Sequence, residues 1–376
     1  MKNILMFICA LFLTVLFSPC AYAQSAEAEL DRLKESIDLR LTEELDDDTL
    51  TELDDLGVAP SDSKGITSLD IRAFFGKLAA GAKDSIRLPA VMLGRIIAVS
   101  LIYSAMLQVC PESRGLSDAF SVICTVCVIT VMTETISSIY DDLKDSIGCI
   151  NTFMISYIPV FTAVTAAGGA PVTAGVYSSS TVLICEVTQF ISSQVLLPCL
   201  SLLTALNVVS AIDPSLKISG FSESVRKLTT WLLATTMLIF VGLLSIRGVT
   251  GSAADDLTSR TLRFAASSFI PVIGTSVSDA FLAVKGGMGL IRSAVGGFGM
   301  LAVFLIAVRP FVAIFSIKLA VWTGRMINEL LGLRQTATFL SGINSVLSIA
   351  VSILISITAA FIIATAAVMS AVSGGN

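Results

Sequence analysis

The sequence predicts an all-α fold: a polytopic helical integral membrane protein with two broken-helix repeats and a short extracytoplasmic N-terminal arm. Hydrophobic residues make up 54% of the 376 positions and charged residues only 14%, with a mean hydropathy of +0.86. A soluble domain carries roughly 25% charged residues, so this composition is typical of a chain that crosses a bilayer several times. The sequence contains no histidine, the commonest general base and a frequent metal ligand. We therefore expect no enzymatic activity, no cofactor and no metal site.

The first 23 residues have the pattern of a signal peptide. Lys2 precedes an apolar run from Ile4 to Phe17, and Ala21-Tyr22-Ala23 has the A-x-A form of a cleavage site. An uncleaved first span is the alternative, because signal peptides and short spans overlap in length.

Residues 24–65 are expected to form an acidic arm outside the cytoplasm. Positions 24–62 contain fourteen Asp or Glu and three Lys or Arg, so they carry −11 while the whole chain carries −5. Apolar residues recur there at helical spacing, at Leu30, Leu33, Ile37 and Leu41. This spacing predicts an amphipathic helix presented to a partner. A solvated acidic tail is the alternative.

The segment 66–88 is predicted to be an amphipathic interfacial helix that leads into the first span at Pro89. Its apolar residues fall on one side and its basic residues elsewhere, which is the signature of a helix lying at a membrane surface. Ten apolar runs follow, from 89–109 to 343–370, each a candidate crossing of ~30 Å of hydrocarbon.

Two similar blocks divide the membrane body into a first repeat (89–191), a second repeat (192–310) and C-terminal transmembrane helices (311–376). Each block has Asp-Asp-Leu followed by an aromatic residue with Ile-Pro-Val, at 141–143 with 157–160 and at 255–257 with 269–272. A proline removes one backbone donor and clashes with the carbonyl four residues earlier, so Pro159 and Pro271 are each expected to break a helix. Interrupted helices at corresponding positions point to a translocation region. A chance match of common membrane residues is the alternative.

Ionisable residues near the second break are the main candidates for function. Asp279 is expected to face a cavity, a cationic partner such as Arg292, or the free backbone donors of a half-helix, because a carboxylate is costly in hydrocarbon. A simple helix cap is the alternative. The candidate pore or assembly residues are Pro159, Pro271, Gly274, Asp279, Arg292 and Lys318. Near the last of these, Arg325 and Glu329 stand at i and i+4 and predict a local ion pair.

The last apolar run contains a stripe of small residues. They recur every four positions, at Ser348, Ser352, Ser356, Ala360 and Ala364. Small residues let a second helix approach closely, so the stripe is predicted to be a packing face. A pore wall is the alternative.

A block around the second proline resembles the most characteristic stretch of the stage III sporulation protein AE family of endospore-forming bacteria. It comprises Arg263-Phe264, residues 268–274, Ser278-Asp279-Ala280, Arg292 and Val295-Gly296. Lys318-Leu319-Ala320 and the long apolar terminal run are similar too. The chain departs from the family at Leu282, where a second acidic residue is common.

The resemblance implies a membrane subunit of the channel or secretion-like assembly between mother cell and forespore, in the mother-cell membrane facing the forespore. Its partners would be other stage III sporulation membrane proteins and the lipid bilayer, with no nucleic acid; a homo-oligomer is left open. One rival is a stand-alone secondary transporter that uses Asp279, Lys285, Arg292 and Lys318. Another is a structural membrane scaffold without a pore.

If Ala21-Tyr22-Ala23 is cleaved, the mature protein begins at Gln24 and the acidic arm lies outside the cytoplasm. N-terminal sequencing of the protein purified from membranes measures this directly. Recovery of a chain that starts at Met1 or Lys2 would contradict the cleavage.

Overall fold

The computed structural model describes most of the chain after the first 31 residues. The described residues are 32–43, 45–61, 71–109, 114–213, 220–240 and 274–373, with the single positions 216, 218, 242 and 255. These residues are almost entirely helical and include no β-strand, which confirms the predicted all-α fold. The signal peptide, Pro271 and the start of the family-like block lie outside the described residues.

The described residues form nine α-helices. They are α1 (32–42), α2 (Asp47–Asp55), α3 (Ile71–Val109), α4 (Arg114–Ala167), α5 (Pro171–Ile191), α6 (Leu197–Ile212), α7 (220–240), α8 (Gly274–Leu330) and α9 (Arg334–Ser373). A π turn, Ser192–Leu196, joins α5 to α6. Five stretches of these helices are long and apolar enough to cross a membrane, namely Ile86–Met106, Ala119–Ala167, Pro171–Ile212, Gly286–Leu330 and Arg334–Ser370. The chain is therefore a multi-pass membrane protein.

Several apolar runs that the sequence separates belong to single long helices. The runs 116–139 and 149–168 lie in α4, and 294–309 and 311–331 lie in α8. At 1.5 Å per residue the 54-residue α4 is about 81 Å long, more than twice the ~30 Å of hydrocarbon in a bilayer. The polar residues around Asp142 therefore occupy the middle of one continuous helix.

The first predicted break lies eight residues later than expected. Helix α4 continues through Pro159 and ends at Ala167, and the chain turns at Gly168-Gly169, where Gly169 has a φ of +88°. Pro159 and Ile155, the residue whose carbonyl the proline ring crowds, are both exposed. The lost hydrogen bond therefore lies on the outer side of the helix, where a slight bend disturbs no core packing. At the second site α8 begins at Gly274.

Two other prolines also lie in or beside continuous helices, and Pro89 is buried rather than exposed. Helix α3 runs through Pro89, so the predicted interfacial segment and the first span form one helix. Pro198, near the start of α6, follows the π turn, in which the Leu197 N–H bonds the Ser192 carbonyl five residues back. That wider turn accommodates a residue that lacks a donor.

The core forms where α3, α4 and α9 pack against α8, and α5 packs against α4. The Tyr157 ring is completely buried between Phe153 and Phe161, with ring centroids 5.6 and 5.5 Å away. A Cβ added at Gly299 would collide with the Tyr157 ring, and one added at Gly296 would collide with the Met369 side chain. The two glycines of α8 therefore let an aromatic side chain of α4 and a side chain of α9 reach the α8 backbone.

The small-residue stripe of α9 does not face one neighbour along its whole length. Ala360 and Ala364 are buried, Ser348 and Ser356 are half-buried, and Ser352 is exposed. Four positions advance a helix by about 400°, so the stripe drifts by about 40° at each step and about 160° overall. Its alanine end packs in the core and its serine end turns outward.

Replacing Gly299 with alanine should destabilise the protein by about 1–3 kcal/mol, because the new methyl group meets the buried Tyr157 ring. Gly289→Ala is the matched control, since nothing lies within 4 Å of its added Cβ on the same helix. Thermal unfolding in detergent compares the two. Equal melting temperatures would show that α4 and α8 do not approach this closely.

Candidate functional site

Polar side chains from three helices meet at the middle of the bundle. We call this level the polar waist and define it by Asp142 and Asp145 of α4, Gln189 of α5, Ser193 of the π turn and Arg309 of α8. These residues line two neighbouring cavities of about 320 and 750 Å³. Both are open to the surface of the bundle, at a level between two apolar halves.

The acidic arm docks on this waist. Its helices bury five aliphatic side chains against the bundle, none more than 7% exposed: Ile37, Leu41, Leu45, Leu53 and Val58. The Asp38 carboxylate accepts hydrogen bonds from the Ser61 N–H at 2.9 Å and the Ser61 hydroxyl at 2.8 Å, which closes the arm into a compact unit. The predicted amphipathic helix is present as α1: its Ile37 and Leu41 are buried by the protein itself, Leu33 is exposed, and Leu30 lies outside the described residues. Full burial of each such aliphatic side chain stabilises the folded protein by roughly 1.5–3 kcal/mol relative to leaving it exposed to water.

One cation of α8 pairs with the arm. The Arg309 guanidinium forms ion pairs with the Asp48 carboxylate and, at 3.9 Å, with the Asp46 carboxylate. All three side chains are about half exposed, and such pairs stabilise by only about 0–1 kcal/mol. The aliphatic contacts therefore supply most of the docking free energy, and Arg309 fixes the position of α2 along the waist.

The waist carries more negative than positive charge. On the arm, Asp46, Asp48 and Glu52 interact with the single Arg309 guanidinium. Partial burial raises the pKa of the Glu52 carboxyl, Arg309 opposes that rise, and Asp46 and Asp48 add to it. Because the pKa of Glu52 in the folded protein exceeds its ordinary value, its contribution to the free energy of folding is fully present below that ordinary value. The contribution is lost as pH rises through the folded-state pKa.

A buried carboxylate outside the waist caps a membrane helix. The Asp255 side chain, only 5% exposed, accepts hydrogen bonds from the N–H groups of Val172 at 2.9 Å and Thr173 at 2.7 Å. Helix α5 begins with Pro171, which has no N–H, so Asp255 satisfies the next two free donors. In the predicted repeat Asp141 corresponds to Asp255, yet Asp141 is exposed on α4. The two corresponding acidic residues therefore have different structural roles: Asp255 caps a helix, and Asp141 lies on an exposed side of α4.

The predicted pore residues lie along the bundle without forming one cluster. Pro159 is exposed on α4, Gly274 is the first residue of α8, and Lys318 is half-buried further along α8. Asp279 is in the first part of α8, at a position whose side chain lies outside the described residues. Thirteen positions, about 20 Å of helix rise, separate it from Arg292. An ion pair cannot bridge that distance on one helix.

Arg292 remains the strongest of those candidates. Its side chain is 9% exposed on α8, and it forms no hydrogen bond or ion pair with another residue that the structure describes. A buried guanidinium is costly in a membrane span, so such residues usually mark a functional position. Arg325, in contrast, pairs with Glu329 at 2.8 Å and donates to the Ser341 hydroxyl at 3.1 Å, which confirms the predicted local pair.

Sequence reasoning missed the waist itself. Its signal was present in the charged residues at 141–145 and in Arg309-Pro310, both in the interior of apolar stretches. Nothing in the sequence links them to Asp46 and Asp48, which are more than 250 positions away from Arg309. Across the described ranges no group of three or more Cys, Asp or Glu is arranged to hold a metal ion.

The fold and the waist define a polytopic helical membrane protein with an acidic arm docked at mid-height. The profile of the stage III sporulation protein AE family matches residues 58–372. The chain belongs to this family, as the block around Asp279 indicated. Stage III sporulation protein AE of Bacillus subtilis (strain 168) is 23% identical over 229 residues, covering 60% of this chain and 57% of that protein's length. No solved structure matches.

Asp255→Ala should destabilise the protein by about 0.5–2 kcal/mol, because two buried N–H groups of α5 lose their acceptor. Asp255→Asn keeps one acceptor oxygen and should cost less. Unfolding of both variants in detergent, followed by tryptophan fluorescence, measures the difference. Wild-type stability of the alanine variant would remove Asp255 as the cap.

Proposed function

We propose that this chain is the membrane subunit of a channel or secretion-like complex between mother cell and forespore that endospore formation requires. The family profile over residues 58–372 carries the proposal, because it spans the end of the arm and nearly all of the membrane body. The family's name refers to a developmental stage and to no reaction, which favours a non-enzymatic role. The proposed location is the mother-cell membrane, on the side facing the forespore.

The arrangement of charge supports a role in passage across or along the membrane. Two cavities that open to the surface of the bundle lie at the waist, where carboxylates of α4 and the arm are near Arg309. The buried Arg292 adds a charged group inside the apolar half that contains the second predicted break. A bundle that served only as an anchor would have no need for polar groups at these two levels.

A stand-alone secondary transporter is the second candidate. The same waist cavities favour it, since transporter sites are formed near the middle of the bundle by polar residues of interrupted helices. The two candidates differ in composition: a complex subunit requires other polypeptides, whereas a transporter is complete by itself.

Purification of a tagged copy from sporulating cells in mild detergent should recover other stage III sporulation membrane proteins, identified by mass spectrometry. Asp279→Asn should keep normal membrane abundance and reduce spore formation, because it removes a charge near the second break. Asp141→Asn, an exposed carboxylate on α4, is the control and should sporulate normally. Recovery of this chain alone, with substrate uptake by proteoliposomes, would favour the transporter. Recovery alone without uptake would leave a pore-free scaffold.

A further inference from the structure

The turn between α1 and α2 separates the two waist cavities. Glu43 and Leu45 line the larger cavity, Thr49 lines the smaller one, and Asp46 lines both. The far walls are shared as well, because Asp145 and Cys149 of α4 and Ile306 of α8 contribute to each cavity. Without the arm, the two cavities would be one continuous crevice between α4, α5 and α8.

The surface beneath the arm is polar. Asp142 and Ser146 of α4 line the smaller cavity, and Gln189 and Ser193 line the larger one. The Oε1 atom of Gln189 is buried and has no hydrogen-bond partner among the described residues. Polar groups of this kind are favourable at a surface that water reaches and unfavourable in a permanent interface.

Opposing forces act on the docked arm. Its aliphatic side chains and the Arg309 ion pairs hold it against the bundle. The Asp46 carboxylate, however, shares the smaller cavity with Asp142 and Asp145, and like charges in one cavity repel each other. The Arg309 ion pairs with Asp46 and Asp48 are half exposed, and Lys144 lines the larger cavity together with Glu43 and Asp46. Changing one of these charges therefore shifts the docking free energy while the apolar attachment remains.

We propose that the acidic arm is a releasable latch that closes the polar waist. Docked, it divides the crevice into two shallow cavities. Released, it exposes a single polar crevice lined by Asp142, Asp145, Gln189, Ser193 and Arg309. This is a conformational device of the chain itself and does not depend on the identity of the complex in which the chain works.

The docked state can be tested by cross-linking in the purified full-length protein. In Thr49→Cys the new thiol lies in the same cavity as the native Cys149, so a short bis-maleimide should join them. Thr51→Cys is the matched control, because it is exposed two positions along α2, on the side away from that cavity. Cross-linking of both variants alike, or of neither, would show that the arm does not dock at the waist.

The release is tested by the labelling rate of Ser193→Cys in the larger cavity, measured with a maleimide and read at that peptide by mass spectrometry. Arg309→Gln should raise the rate about fivefold, the factor that corresponds to about 1 kcal/mol of lost docking. The double change Asp46→Asn with Asp48→Asn tests the same contact without altering a membrane helix; removing Asp46 also relieves repulsion, so its increase should be smaller. Arg325→Gln, which breaks an ion pair elsewhere on α8, should leave the rate unchanged.

The wild-type arm must also open on its own if it is a latch. Joining Thr49→Cys to Cys149 should lower the labelling of Ser193→Cys to the rate that the docked, open cavity allows. Labelling that is unaffected by the cross-link and by Arg309→Gln would make the arm a fixed part of the fold and overturn the proposal.

Discussion

The contact between the Tyr157 ring and Gly299 of α8 sets how closely the two longest helices of the bundle approach each other. An aromatic side chain can lie directly on a helix backbone only where no Cβ projects, and Gly299 provides that surface. The contact also sets the register of two antiparallel helices. Asp145 lies twelve positions from Tyr157 and Arg309 ten positions from Gly299, about 18 and 15 Å of helix rise. The two charged residues therefore reach the same level, and that level is the waist.

The acidic arm joins a strong apolar attachment to a weak electrostatic one. Burial of aliphatic side chains is non-directional, so by itself it would hold α1 and α2 to any suitable apolar surface. Arg309 fixes where the arm binds, because it is the cation of α8 that the arm's carboxylates contact at the waist. Electrostatic pairs of this exposure specify position better than they stabilise it.

The sequence predicted what depends on local spacing. The helices, the amphipathic character of the arm and the pair between Arg325 and Glu329 all follow from periodicities of three or four residues. Contacts between distant segments were not predictable in this way. Asp255 caps a helix 82 positions earlier in the chain, and its counterpart Asp141 caps nothing, because the surroundings of each carboxylate are set by the tertiary fold.

The dependence on tertiary structure also explains why the observed helix at Pro159 and the observed packing of the α9 stripe differ from the sequence predictions. Helix α4 continues through Pro159 because the lost hydrogen bond lies on its exposed side, and the sequence does not say which side of a helix faces outward. A spacing of four residues looks constant in a sequence, yet it rotates steadily around a real helix. Ala364 and Ser352 consequently belong to different surfaces.

Helix α4 is continuous through its polar middle, so its two halves move together as one long rigid element. A helix of about 81 Å has arms of about 40 Å on either side of the waist. A tilt of about 5° at the waist would move each end by about 3.5 Å, which exceeds the radius of a water molecule. A hinged pair of helices would absorb such a tilt at the hinge. In this protein a small tilt of α4 at the level of the waist would instead move the two ends of the helix in opposite directions.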